Sequence, residues 1–467
     1  MKKTIILTLS LFAFCSAMSQ SADFPLYFSN LGLNGTANYI SRAGALGAVG
    51  GDIMSSNYNP AGLGIYKGNE VTFSSGINFN FMDANSDGLK SDDNRTSYNF
   101  GNFGMVGTFR TGSKGLKYIQ LAFGLNRLKN FSGRTKIMRN GVTTSYIDHT
   151  VMDAIVAAND AENDFIQAGV INVADDGTIS SVYESGTFNQ IKQITQTGYV
   201  NEISFSLSGN IDDMLYFGAT VGIPCAEYKS VSTFSEERIN AEGESNGHYN
   251  YNEVQELSAT GVNLKLGAIV KPINFLRIGA AIHTPTYYYV EDDYYSKVVY
   301  NSASGSVGPT FIYDIQTPFR FLGSLALVFG DNKSKVAGTI SADYEYADYK
   351  AMKFRMEDDV MYETDLNNLI DNIFRPANTL RVGGELKLGV LSLRAGYAMM
   401  GNPYIEEQND ASFNCITAGI GYKTASYSFD LAYANVSGNS KYYFYDDFAT
   451  ALSNVNHLVQ ATFAIRF

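Results

Sequence analysis

The sequence predicts an all-β fold: a 14-stranded antiparallel transmembrane β-barrel with an N-terminal hatch plugging the lumen. Three observations lead to this prediction. Residues alternate between apolar and polar with a period of two, the connections alternate between short and long, and the last strand ends in an aromatic residue, Phe467. Together they are typical of barrels that cross a bacterial outer membrane.

Composition narrows the class of protein before any motif is considered. Of 467 residues, 45% are hydrophobic and 17% are charged, and the chain contains 32 Tyr, 30 Phe and 44 Gly. This aromatic content is too high for a disordered chain and favours β-sheet. The net charge of -12 disfavours binding to phosphate backbones, so we expect no nucleic-acid partner.

Residues 1–19 have the order of a secretory signal peptide. Lys2 and Lys3 precede a short apolar stretch, and the small residues Ala17 and Ser19 precede the predicted cleavage site. We therefore expect an exported protein.

Residues 69–467 alternate as the wall of a barrel does. Val262, Leu264 and Leu266 share one face of a predicted strand, and Asn263 and Lys265 share the other. A soluble β-sandwich would show the same alternation, because each of its strands also has one apolar face. Alternation by itself leaves both architectures open.

The lengths of the connections favour the barrel. Fourteen strands are predicted to begin near residues 69, 97, 117, 197, 214, 254, 275, 312, 334, 378, 390, 413, 425 and 455. Short connections alternate strictly with long ones, as periplasmic turns alternate with outer loops in outer-membrane barrels. A sandwich has no reason to keep this order.

The last predicted strand supports the same location. Val459, Phe463, Ile465 and Phe467 lie on one apolar face. A terminal aromatic residue on an alternating strand resembles the signal by which the barrel-assembly machinery recognises its substrates. We therefore expect a monomer in the outer membrane of a Gram-negative cell, surrounded by lipid and lipopolysaccharide.

Residues 20–68 do not alternate and are rich in glycine and alanine. Gly44, Gly47 and Gly50 could suggest a phosphate-binding loop, but no strand precedes them and no Gly-Lys-Ser/Thr follows. A segment of small residues can instead pack closely inside a barrel. We predict that residues 20–68 form a hatch that plugs the lumen.

The motif Arg42-Ala43-Gly44, followed about fifteen residues later by Asn59-Pro60-Ala61, resembles that of the FadL/TodX family of outer-membrane transporters for hydrophobic compounds. The resemblance covers the whole chain. It implies a hatch that moves when substrate binds, and substrates that are long-chain fatty acids or aromatic hydrocarbons. It also implies passive uptake with release sideways through the wall. Relatives in the Bacteroidota are often labelled hemin receptors.

Strand parity places several charged residues inside the barrel. Arg277, Arg320 or Arg381 could hold the carboxylate of a fatty acid through paired hydrogen bonds. These charges could instead pair with inward acidic residues across the lumen. A two-residue turn sets Glu385 opposite Arg394, which favours pairing for Arg394. For the other three both readings stay open.

A long outer loop contains a helical pattern. Leu366, Leu369 and Ile370 recur at three- and four-residue spacing before Phe374. This helix would either pack on the mouth of the barrel or form an apolar groove that captures a lipid-like substrate. A second helical pattern covers residues 150–165.

Alternation fails in the second predicted strand. Tyr98 and Phe100 mark one face, whereas Phe109 falls on the opposite parity, so we predict a β-bulge at Gly101 and Gly104. The bulge would either correct the curvature of the barrel or open a lateral exit. The family resemblance implies an exit at a kink in the third strand. That strand alternates cleanly here, so we assign the exit to the second strand.

Several functions stay open beside passive uptake of hydrophobic compounds. One is a receptor, for example for haem, with His149 or His248 as an axial ligand. Another is a non-specific porin. We expect no enzyme, because His283 and His457 have no identifiable catalytic partners, and no cofactor or metal site, because the histidines lack ligand spacing. Residues 83–94 resemble a calcium loop, but Asn94 replaces the bidentate glutamate.

Overall fold

The computed structural model describes residues 22–467 except 114, 148–150, 152–162, 177, 184–185, 301, 331–335, 358, 406–408 and 446–448. The predicted signal peptide and most of the predicted helix at 150–165 lie outside the described residues. Within the described ranges, no helix is long and apolar enough to cross a membrane.

Nineteen strands of the described chain form one antiparallel sheet, and β5 and β6 form a separate hairpin. The strands are β1 (Glu70–Ser86), β2 (Leu89–Arg110), β3 (Leu116–Asn130), β4 (Gly133–Val142), β5 (Ile171–Val173), β6 (Ile179–Ser181), β7 (Thr187–Ile211), β8 (Leu215–Ile239), β9 (Ser245–Ile273), β10 (Leu276–His283), β11 (Tyr287–Val299), β12 (Ala303–Val307), β13 (Phe311–Gln316), β14 (Arg320–Phe329), β15 (Val336–Asp348), β16 (Lys353–Arg355), β17 (Pro376–Leu388), β18 (Leu391–Met400), β19 (Phe413–Lys423), β20 (Tyr427–Tyr443) and β21 (Ala449–Arg466).

The sheet closes into a barrel because its first and last strands pair, with Ile77 of β1 opposite Val459 of β21. In three places two consecutive strands form a single wall strand. β3 and β4 both pair with β7, and β10 and β11 both pair with β9. β13 and β14 pair with β11 and β10, which are the two halves of one wall strand. With β12 and β16 as short additions, the wall has 14 strands. The predicted fold class is therefore confirmed for the barrel.

Several strands begin earlier than predicted. β2, β7, β9 and β21 start at residues 89, 187, 245 and 449. Their outer parts are largely polar on both faces, so the alternation that marks the membrane-spanning part does not continue into them. Asp83 pairs with Asp92 in the first of these hairpins, so residues 83–94 are a strand hairpin and not a calcium-type loop.

The outer surface of the barrel is apolar and its inner surface is polar. Leu325, Ile340 and Ile420 point outward and expose 53%, 55% and 57% of their surface, whereas the adjacent Ser324 and Ser341 are buried inside. A soluble sandwich has the opposite arrangement. The alternation that the sequence left ambiguous therefore belongs to a wall that faces lipid.

The helices are short apart from one. They are α1 (Phe24–Ser29), α2 (Ala37–Ile40), α3 (Ser55–Tyr58), a 3₁₀ helix (Pro60–Ile65), α4 (Asp164–Gln167), a second 3₁₀ helix (Tyr349–Ala351) and α5 (Val360–Ile373). The first four belong to the N-terminal segment, residues 22–68, which is mostly buried. α5 lies in the long connection between β16 and β17, where the sequence predicts a helix.

A second apolar core lies beyond the barrel proper, on the extended ends of β7, β8 and β9. It packs α4 and the long connection after β4 against these strands, and its largest members are Phe165, Tyr183, Phe188, Phe234 and Tyr249. This outer core supports the described part of the connection between β4 and β7.

Candidate functional site

The N-terminal segment is joined to the wall by ionic contacts. The Arg42 guanidinium donates to the Glu385 carboxylate at 2.7 Å. Arg394 donates to the same carboxylate at 2.6 Å and to Asp430 at 2.6 Å. The predicted register of Glu385 opposite Arg394 is confirmed. Arg42 therefore adds a residue of the N-terminal segment to a charged pair that the wall already forms.

The Asn59-Pro60-Ala61 motif starts a helix and touches the wall. The Asn59 side-chain oxygen accepts a hydrogen bond from the Ala61 N–H at 3.2 Å, and its amide donates to the Gly47 carbonyl at 2.7 Å. Asn at the cap and Pro in the first turn suit a helix start. A Cβ on Gly218 of β8 would lie 2.5 Å from the Pro60 carbonyl, so only glycine allows this close approach.

Gly44 is required by its backbone conformation. Its φ of +82° lies in the left-handed region, which glycine adopts at little cost. A Cβ there would also lie 2.6 Å from the Tyr39 hydroxyl. Each of the five predicted hatch residues therefore lies in the buried N-terminal segment, and four of them make the contacts described here.

An apolar cluster fills the mouth of the barrel between α1, α5 and the wall. We call it the mouth cluster; it includes Phe24, Leu26, Phe28, Leu128, Tyr288, Phe354, Leu366, Ile370 and Phe374. Leu369 packs against its edge. The rings of Phe28 and Tyr288 lie 5.2 Å apart. The four apolar residues that were predicted to share one face of the loop helix therefore face a buried apolar space, and α1 occupies that space.

The start of α1 carries a partly buried carboxyl group. The Tyr404 hydroxyl donates to the Asp23 carboxylate at 2.9 Å. Burial raises the pKa of Asp23 above its ordinary value, and the Tyr404 hydrogen bond opposes this shift. α1 therefore places this carboxyl group where its charged form is less stable than it is in water.

A polar cavity of about 50 Å³ lies below the mouth cluster, next to Phe28. Lys265, Arg320 and Arg381 line it together with Glu345. Arg381 donates to Glu345 at 2.7 Å, and Arg320 donates to Glu345 and to the Ser29 carbonyl. The structure thus brings Arg320 and Arg381 together at one cavity.

Arg277, the third arginine singled out by the sequence, lies elsewhere. Its guanidinium donates to the Val49 carbonyl at 2.6 Å, and it does not line the polar cavity. The alternation of the strands places all three arginines inside the barrel, but it does not show which of them lie close together. Lys265, which donates to Glu202, also lines the cavity and was not singled out as a binding residue.

The ladder between the second and third wall strands stops halfway. β2 and β3 pair from Arg110–Tyr118 to Asn102–Asn126. Beyond that point, in the part of the chain that the structure describes, β2 pairs only with β1, and β3 and β4 pair only with β7. We call this unpaired outer half the seam.

A β-bulge lies on each side of the seam. In β2 the extra residue is Gly101, because Asn102 lies opposite Ser74 and Phe100 opposite Ser75. The bulge predicted in this strand is confirmed there. Gly104 lies within the paired region, where a Cβ would meet the side chain of Ile53.

β3 also has a bulge, beyond the part of the strand that alternates cleanly in the sequence, and the assignment of the exit to the second strand stays a prediction. The register of β3 against β7 shifts between Arg127 and Lys129, which leaves Leu128 unpaired. The clean alternation of β3 ends at Leu125, three residues before this bulge. The apolar side chain of Leu128 points into the mouth cluster. This apolar residue was the feature of the sequence that could have indicated the bulge.

The N-terminal segment is bonded to one edge of the seam. The Gly32 N–H donates to the Leu128 carbonyl at 3.0 Å, and the Lys129 ammonium donates to the Tyr27 carbonyl at 3.0 Å. Across the seam, the Asn130 amide donates to the Asn99 side-chain oxygen at 3.2 Å. Displacing α1 would therefore break contacts at the seam and in the mouth cluster together.

A closed barrel with an apolar outer belt, a polar interior and a buried N-terminal segment defines an outer-membrane β-barrel protein. No family model matches the chain. No curated protein matches it by sequence either. The similarity of this chain to known proteins therefore rests on the comparison with solved structures.

Three solved structures share this fold over nearly their whole length. The toluene transporter TodX of Pseudomonas putida has a TM-score of 0.57 at 12% identity, covering 93% of this chain and 99% of that one. A FadL homologue of Pseudomonas aeruginosa has 0.54 at 12%, covering 94% and 99%. The monoaromatic hydrocarbon channel CymD has 0.51 at 10%, covering 93% and 98%. The predicted resemblance to FadL/TodX proteins is confirmed at the level of fold.

Proposed function

We propose that this protein carries amphipathic hydrophobic compounds with an acidic head group, such as long-chain fatty acids, passively across the outer membrane. The observation that carries the proposal is that the mouth cluster and the polar cavity adjoin each other and differ in polarity. The mouth cluster is apolar, and the polar cavity beneath it contains Arg320 and Arg381. An apolar tail fits the first and a carboxylate fits the second.

The N-terminal segment acts as the plug in this proposal. Its contacts with Glu385, Gly218 and the seam support that role. α1 occupies the apolar space that the tail of the substrate requires, so substrate entry displaces it. The freed seam then lets the substrate leave sideways into the membrane.

The proposal is tested by uptake in cells that lack their own long-chain fatty acid transporter. Cells producing this protein should accumulate radiolabelled oleate faster than cells carrying an empty vector. Radiolabelled toluene and a small hydrophilic sugar serve as comparisons, because a hydrocarbon channel would prefer the first and a non-specific porin would pass the second. Equal oleate uptake with and without the protein would reject the proposal.

Replacing Arg381→Gln should weaken oleate binding about tenfold or more, because a charge-assisted hydrogen bond contributes about 1.5–3 kcal/mol. Glu345 keeps its bond to Arg320, so no buried charge is left alone. Titration calorimetry with the purified protein measures the effect. Arg277→Gln is the matched control, since that arginine lies away from the cavity. Equal binding by R381Q and R277Q would remove Arg381 from the site.

Replacing Leu369→Asp and Ile370→Asp should lower oleate uptake several-fold, because two carboxylates would enter the apolar wall of the mouth cluster. The control is Val360→Asp with Met361→Asp on the same helix, where the side chains are 67% and 77% exposed. Heat-modifiable migration on gels checks that both barrels assemble. Normal uptake by the first variant would reduce α5 to a packing element.

A further inference from the structure

The wall is interrupted at a second place, away from the seam. The seventh wall strand breaks between β10 and β11 at Thr284-Pro285-Thr286, and the eighth breaks between β13 and β14 at Thr317-Pro318-Phe319. His283 pairs with Arg320 below the break, and Tyr287 pairs with Gln316 above it. The two interruptions therefore face each other at the same height.

Few backbone hydrogen bonds cross this break. The Thr317 N–H donates to the Thr286 carbonyl at 3.0 Å, and the Thr286 N–H donates to the Thr317 hydroxyl at 2.8 Å. Pro285 and Pro318 have no N–H to contribute. Proline in sheets is confined to edges and bulges, and a closed barrel has no edge, so two facing prolines mark a weakened part of the wall.

The break lies directly between the polar cavity and the membrane. Thr284, Thr286, Thr317 and Pro318 line the cavity from the wall side. On the outside, Ile282, Tyr287 and Phe321 expose apolar or aromatic surface. Tyr287 and Tyr289 follow the break toward the outer loops, as aromatic residues do where a barrel meets the membrane surface. The break therefore faces the outer leaflet.

We propose that this two-proline break is a second lateral opening, through which a compound held in the polar cavity reaches the outer leaflet. The inference rests on the proposed function, because it needs a substrate in the cavity. It adds a route that does not cross the seam. A substrate whose head group lies between Arg320 and Arg381 is already beside this break.

The test locks each opening by a disulfide in a protein with Cys225→Ala and Cys415→Ala. The pair Thr286→Cys with Thr317→Cys closes the two-proline break, and Asn99→Cys with Asn130→Cys closes the seam. Ala395→Cys with Ala418→Cys joins directly opposed residues in a regular ladder and is the control. Oleate uptake is compared in oxidised and reduced cells, and oleate binding is measured on the purified proteins.

In the seam-locked protein, locking the two-proline break as well should lower the remaining oleate uptake several-fold, and reduction should restore uptake. The doubly locked protein should bind oleate equally well when oxidised and when reduced, so that the comparison is made within one variant. A second variant of the seam-locked protein, Pro285→Val with Pro318→Val, adds two backbone donors and should lower the remaining uptake without a second disulfide.

Three results would overturn the inference. In the seam-locked protein, remaining uptake that neither the second lock nor the valine substitutions lower would do so while leaving the proposed function intact. An equal loss of binding and uptake would place the effect on capture and not on exit. Absence of oleate uptake by the unmodified protein would overturn the proposed function and this inference together.

Discussion

Deleting residues 22–66 should raise the single-channel conductance by roughly an order of magnitude, since barrels wider than about eight strands leave space that side chains of the wall do not fill. In the intact protein that space holds the N-terminal segment, where Tyr39, Ile40, Ile53 and Leu63 are almost completely buried. Planar-bilayer recordings of the purified protein measure the change.

The shortened barrel should still assemble, because two of its buried ion pairs lie entirely within the wall. Glu385 stays bonded to Arg394, and Glu202 stays bonded to Lys265. Deleting the exposed turn at residues 240–244 gives a matched control, which should conduct as the intact protein does. Equal conductance with and without the N-terminal segment would show that this segment is no plug.

Locking the seam with Asn99→Cys and Asn130→Cys should lower oleate uptake by roughly an order of magnitude, because the motion that opens an exit can limit the whole cycle. The two side chains already meet across the seam at 3.2 Å. The disulfide replaces a single hydrogen bond by a covalent link between β2 and β3, where no ladder holds the edges together.

The seam lock has clear controls. Reduction should restore uptake, and the Ala395→Cys with Ala418→Cys pair should have no effect in either state. Oleate binding should persist in the locked protein, because the mouth cluster and Arg381 are untouched. Unimpaired uptake by the oxidised seam lock would exclude the seam as the main exit.

The sequence by itself determined the wall of this protein. Lipid outside and polar groups inside impose a period of two on each spanning strand, so the number of wall strands could be read directly. A two-residue turn set the register of Glu385 and Arg394. A slip of parity identified the bulge at Gly101, because one extra residue reverses every later side chain. These are local properties, each decided within one strand or hairpin.

Only the tertiary structure decided which residues become neighbours inside the barrel. Ser29 lies beside Arg320, and Leu128 contacts Gly32, although parity alone says only that such residues face inward. Which inward residues become neighbours depends on the stagger of the strands around the closed wall and on the path of a segment without periodicity. The polar cavity, the place of α1 and the seam arise from contacts between distant parts of the chain, for which local patterning carries no signal.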